Sequence, residues 1–96
     1  MFVQTLVAGL SQDSTSSVFY LGSVLPSGPS NLGVVQIDIT GVGTVTIQGR
    51  INSEVSWIDL ATTTESASLD FRVMPEVRYV VTDLTGLVTI AVAIYR

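Results

Sequence analysis

GTVTIQGR, residues Gly43 to Arg50, is the stretch whose reading decides the fold class. At a period of two, Val45, Ile47 and, just beyond the stretch, Ile51 fall on one side and Thr44, Thr46, Gln48 and Arg50 on the other. That is a strand with one dry face and one wet face. Gly49 breaks the dry face, as a bulge or a large opposing side chain requires, and Trp57 is the candidate for that neighbour.

The same grammar extends outward in both directions. Val35, Ile37 and Ile39 alternate with Gln36 and Asp38, and Leu69, Phe71 and Val73 alternate with Asp70 and Arg72. β-Branched residues dominate, and no segment sustains an apolar period of 3.6. Strands are therefore predicted at about Phe2–Ala8, Ser17–Leu25, Val34–Thr40, Thr44–Ile51, Val55–Leu60, Ala67–Val73, Val77–Thr82 and Leu87–Tyr95. Ser11–Ser17 and Pro26–Gly33 read as polar loops, and Thr40–Gly43 and Thr82–Gly86 as tight turns. Asn52–Glu54 suits a hairpin, and Pro75 breaks the ladder between two strands. The expected fold is all-β: a small antiparallel β-sandwich of about eight strands, jelly-roll or immunoglobulin-like. Residues 1–96 make one domain. Thr40-Gly41 before Val45-Thr46-Ile47 echoes Thr85-Gly86 before Val88-Thr89-Ile90, which either duplication or convergent turn chemistry explains.

Three predicted strands break the one-dry-face rule. In SVFYLGSVL, Ser17 to Leu25, the residues Val18, Tyr20 and Val24 oppose Phe19, Leu21 and Leu25. Phe2 and Leu6 oppose Val3 and Val7 in the first strand, and Val88, Ile90, Val92 and Ile94 oppose Leu87, Ala91, Ala93 and Tyr95 in the last. A lone two-layer body leaves such second faces wet, so another subunit is the expected cover. The alternative is central strands buried under long loops. Phe2, Val3, Leu6, Val7, Phe19, Tyr20 and Leu21 are the candidate contact residues, with residues 1–25 as a candidate arm or strand pair between subunits.

Composition points the same way. The chain has eight acids, four arginines, and neither lysine, histidine nor cysteine, for a net charge of -4. Phosphate-backbone binding needs a basic stripe, so no nucleic-acid partner is expected. Charged residues are 12% of the chain, against about 25% in ordinary soluble domains, and 47% of residues are apolar. A surface so poor in charge favours self-association. Met1–Leu10 is apolar but lacks a basic leader and a small-x-small cleavage site. The run near Ile90–Tyr95 is too short to cross a bilayer, so no membrane partner is expected.

Without histidine, cysteine or lysine there is no Ser-His or Cys-His pair, no Schiff-base amine and no histidine zinc site. The acids are scattered in a way that suits solubility better than a glycosidase pair, and no enzyme activity or cofactor is expected. Asp13 and Asp83 both fall in loops and are the only candidates for a shared calcium site. Trp57 and Tyr79 are candidate ligand platforms, although a lone tryptophan among strands is more often core. Arg50, Arg72 and Arg78 fall on wet strand faces among acids, where ion pairs are worth about 0–1 kcal/mol each.

From Gly43 onward a resemblance enters. Gly43-Thr44-Val45-Thr46-Ile47-Gln48-Gly49-Arg50, Trp57-Ile58-Asp59-Leu60, Pro75-Glu76-Val77-Arg78-Tyr79-Val80-Val81-Thr82, Thr85-Gly86 and Val88-Thr89-Ile90 together resemble small tailed-bacteriophage virion proteins. The likeness covers a little over half the chain and does not reach residues 1–42. It implies a β-sandwich or jelly roll acting as a head decoration (cement) protein, or as a tail or fibre module that binds carbohydrate. The expected partners are copies of the chain itself, as dimer or trimer, and a major capsid protein, on the virion. An adhesin-like subunit exchanging edge strands is the remaining alternative.

Overall fold

The computed structural model describes residues 2–22 and 32–94. The predicted strand residues Ser23–Leu25, most of the predicted Pro26–Gly33 loop, Tyr95 and Arg96 lie outside the described residues. The described chain is all-β: β1 (Phe2–Leu10), β2 (Ser14–Thr15), β3 (Phe19–Tyr20), β4 (Leu32–Arg50), β5 (Ile58–Thr63), β6 (Ala67–Arg72) and β7 (Glu76–Ile94). All seven join one antiparallel sheet.

Two strands of 19 residues, β4 and β7, form the spine. They pair from Gly33 opposite Ile94 to Arg50 opposite Glu76. The other strands flank this ribbon in two lines. Along the free side of β7, β1 pairs with the stretch around Val88–Ile94, and β2 and β3 with the stretch around Glu76–Val81. Along the free side of β4, β6 pairs with Leu32–Ile37 and β5 with Val45–Gly49. Four antiparallel lines thus run side by side, and at one level the two flanking lines break while the two spine strands continue, distorted. The flanking lines break at residues 11–13 and 64–66, and the spine is distorted at Gly41–Gly43 and Asp83–Gly86.

Here the structure corrects the predicted turns. Thr40–Gly43 and Thr82–Gly86 are not turns between strands but distortions inside strands, which merges two pairs of expected strands, while β2 (Ser14–Thr15) forms inside the expected Ser11–Ser17 loop, so the expected eight strands become seven among the described residues. The physical reason is reciprocal. Gly41 and Gly86 face each other across the ladder, with φ of 98° and 118°. A Cβ on Gly41 would overlap the carbonyl oxygen of Thr85, and one on Gly86 the carbonyl oxygen of Thr40. Each glycine makes room for the threonine carbonyl that precedes the other. The ladder therefore passes through a level where the chain looks, residue by residue, like a turn. The Thr-Gly echo in the sequence marks this shared crossing point.

Beside the glycine pair sits a bulge. Val42 faces Thr85 and Thr44 faces Thr82, so Asp83 and Leu84 together oppose Gly43. Asp83 takes a φ of 55°, in the left-handed region that aspartate tolerates better than most residues. The N–H groups of Asp83 and Leu84 donate instead to the two carboxylate oxygens of Asp13, at 3.1 and 2.8 Å. Asp13 is thus a cap on the bulge, 70 residues away in sequence. Both N–H groups lie near water, which partly replaces a lost acceptor. We expect Asp13→Ala to lower the stability by about 1 kcal/mol, and Asp13→Asn by less. Urea titration of the three proteins checks this.

The dry face is apolar throughout. Val35, Ile37, Val45, Ile47, Val77, Val81, Val88, Ile90, Val92 and Ile94 are fully enclosed and belong, with Leu6, Leu21, Phe71, Val73 and Tyr79, to a single cluster. Both halves of the β4–β7 ribbon contribute to it. Each enclosed aliphatic side chain stabilises by roughly 1.5–3 kcal/mol. No polar or charged residue is buried among the described residues. Gly49 has the neighbours its gap predicts, but they are Leu60 and Met74. A Cβ there would lie 2.6 Å from Leu60 Cδ1 and 2.7 Å from Met74 Cγ, so Trp57 is not the residue that fills it.

Candidate functional site

The seven candidate contact residues separate into three groups. Leu6 and Leu21 are buried in the chain's own core and present no surface to a partner, which removes them from the contact set. Phe2, Val7 and Phe19 are half-buried against that core. Val3 and Tyr20 are 64% and 74% exposed, and these two remain candidates. The double-faced stretch at Ser17 therefore resolves within the chain. Leu21 turns inward, its N–H held by the carbonyl oxygen of Pro75 at 2.8 Å, and Tyr20 turns outward opposite Glu76.

Val3 belongs to a larger apolar surface. Paired residues in an antiparallel ladder point to the same side. One cross-strand row runs Val3, Ala93, Val34, Asp70, and the next runs Thr5, Ala91, Gln36, Ser68. Ala91 and Ala93 form the low floor of a shallow furrow, with Val3, Val34 and Gln36 along its sides. Leu32, two residues before Val34 on the same side, is also exposed. Charge enters these rows only at β6, with Asp70. The sequence showed that the last strand carries apolar residues on both faces. It did not show that Val34 and Val3 would join Ala91 and Ala93, because that depends on register.

The opposite half carries a different group. Arg50 and Arg78 rise from the same side of β4 and β7, and their guanidinium carbons lie 4.1 and 4.5 Å from the centre of the Trp57 ring. Arg50 Nε donates to Glu76 Oε1 at 2.9 Å, and Arg78 Nε donates to Gln48 Oε1 at 2.7 Å. Gln48 Nε2 in turn donates to Asp59 Oδ1 at 2.9 Å. Trp57 is half-buried here, outside the core, as a cover on two cations. Tyr79 is no platform. It is 7% exposed and its ring packs against Phe19, with centroids 6.3 Å apart. The wet-face placement of the arginines was legible in the sequence. Their convergence on Trp57 was not, because the ring arrives from the loop before β5.

Asp13 and Asp83 do come together, but through the carboxylate of one and the backbone N–H of the other. Among the described residues no three potential metal-ligating side chains gather at one point. Among the described residues no helix is long and apolar enough to cross a membrane.

The chain is thus an all-β protein with one apolar sheet face and one arginine–tryptophan cluster on its surface. Compared with known proteins, it matches no family model, no curated protein and no solved structure.

Proposed function

We propose that the chain is a non-catalytic structural protein of a virion, a capsid decoration protein, which acts by packing against copies of itself and against a major capsid protein. The observation that carries this reading is the uncharged outer face built from Val3, Val34, Ala91 and Ala93. The single antiparallel sheet, with β4 and β7 as its central ladder and the other strands flanking them, supports a reading as a small jelly-roll-like sandwich. A second protein laid on the alanine floor would meet backbone-close, flat, apolar surface, which suits sheet-on-sheet packing. The low charge density of the chain lowers the desolvation cost of such a contact. An interface of standard size buries about 800 Å² on each partner, and many copies on a lattice add their affinities through avidity.

The test is association. We expect sedimentation velocity to show the wild-type chain as an oligomer, and Val3→Asp and Ala93→Asp to shift it to monomer with unchanged far-UV circular dichroism. Each variant places an uncompensated charge in the contact. A wild-type chain that stays monomeric at every soluble concentration and fails to bind purified phage capsids would overturn the proposal.

A further inference from the structure

β1 pairs with β7 along one edge, and among the described residues no backbone hydrogen bond reaches its other edge over Phe2–Thr5. Alternate residues of a strand turn their N–H and C=O groups to opposite edges, so part of this backbone points away from β7. Such an edge is a template for one more strand, and the other outer strands carry devices that discourage it. β2 and β3 are two residues long. β6 carries Asp70 and Arg72, and β5 carries Asp59 beside a register shift. β1 is nine residues long and has neither a charge nor a proline. Its ladder is regular over Phe2–Thr5 and shifts register only after Thr5. The unprotected edge is therefore the start of β1.

The facing of the side chains decides what fits there. Val3 and Thr5 are exposed on the outer side, while Phe2 and Leu6 turn to the core. A strand that extends the sheet without breaking either face must match this alternation. The β1 strand of a second copy matches it about a two-fold axis at Gln4. Gln4 then meets Gln4, Val3 meets Thr5, and Phe2 meets Leu6. Val3 and Thr5 of both copies share one side, so the furrow floored by Ala91 and Ala93 continues from one copy into the next. Half-buried Phe2 gains Leu6 of the second copy as cover. Each copy carries a net charge of -4, yet this seam carries none, so two acidic chains repel least along it. We infer that the Phe2–Leu6 edge of β1 is a homotypic interface, at which two copies join antiparallel into one continuous sheet. The inference rests on the self-association proposed above and supplies its geometry. The joined segment is short, so the edge acts together with the outer face rather than in its place.

The chain has no cysteine, so a single introduced thiol reports on one place. Gln4→Cys sets two thiols opposite each other at the axis, with Cβ atoms about 4.5–5.5 Å apart. Mild oxidation with diamide should turn this variant into covalent dimer at least tenfold faster than Asp70→Cys, which places its thiol on β6, the exposed outer strand beside β4. Hydrogen exchange read by NMR supplies a second measurement on the unaltered chain. Alternate amides within Phe2–Leu6 should exchange at least tenfold more slowly at high protein concentration than at low, whereas the amides between them, already bonded to β7, should not change. A chain that associates but shows no concentration dependence at these amides, or crosslinks at Gln4→Cys no faster than at Asp70→Cys, overturns the edge contact and leaves face packing standing. A wild-type chain that is monomeric at every concentration overturns both.

Discussion

Gly86→Ala should cost the protein roughly 3–5 kcal/mol, a large part of the 5–15 kcal/mol that holds a domain of this size together. Two penalties add. At a φ of 118° an alanine is strained whatever the space around it. Its Cβ would also overlap the Thr40 carbonyl oxygen, lying 2.9 Å from that carbonyl's carbon and 3.3 Å from Gly41 Cα. These are backbone atoms of the paired strand and cannot swing aside as a flexible side chain can. Relief requires the two long strands to separate at the level of the glycine pair. Gly41→Ala should behave alike, since its Cβ would strike the Thr85 carbonyl. Gly22→Ala is the control, because a Cβ there meets nothing within 4 Å and should change stability by less than about 0.5 kcal/mol. Urea midpoints of the four proteins decide the matter. A Gly86→Ala chain with a wild-type midpoint would mean that the ladder does not pass through Gly41 and Gly86 as described.

Leu21→Asp should be as damaging, whereas Tyr20→Asp should be nearly silent. The two residues are adjacent and both apolar in character, yet Leu21 is 2% exposed and Tyr20 is 74% exposed. A carboxylate at position 21 either stays ionised in an apolar cluster or binds a proton to avoid it. Both routes cost several kcal/mol on top of the lost leucine burial. At position 20 the carboxylate meets water, although Glu76 opposite it adds a small like-charge repulsion. The expected loss is about 3–5 kcal/mol for the first variant and under about 1 kcal/mol for the second. Thermal unfolding followed by circular dichroism separates them. Equal losses would put Leu21 on the surface and restore it to the contact set.

The same pair shows how far local pattern reaches. Alternation correctly placed Val35, Ile37, Val45, Ile47, Phe71 and Val73 inside, because in each of those strands one parity is polar and the period of two leaves a single solution, but it failed at Ile51, which lies past the end of β4 and is 64% exposed. At Phe19–Leu21 both parities are apolar, and nothing local says which is covered. The Pro75 carbonyl that holds Leu21 and the Tyr79 ring that packs on Phe19 are more than fifty residues away. The surface furrow has the same history. Its alanines were visible as a second apolar face on the last strand, but its walls come from Val3 and Val34 by register alone.

What the amino-acid order determined by itself is the all-β class and the dry face of most strands, since a period of two is a property of neighbours. Tertiary structure decided the rest. It turned two apparent turns into a paired glycine crossing, seated Asp13 on a bulge 70 residues distant, and drew Trp57 out of the core onto two arginines. Each of these depends on which backbone lies opposite which. That is set by long-range pairing across the ladder, where a Cβ, a freed N–H or a guanidinium meets a partner its own segment does not contain.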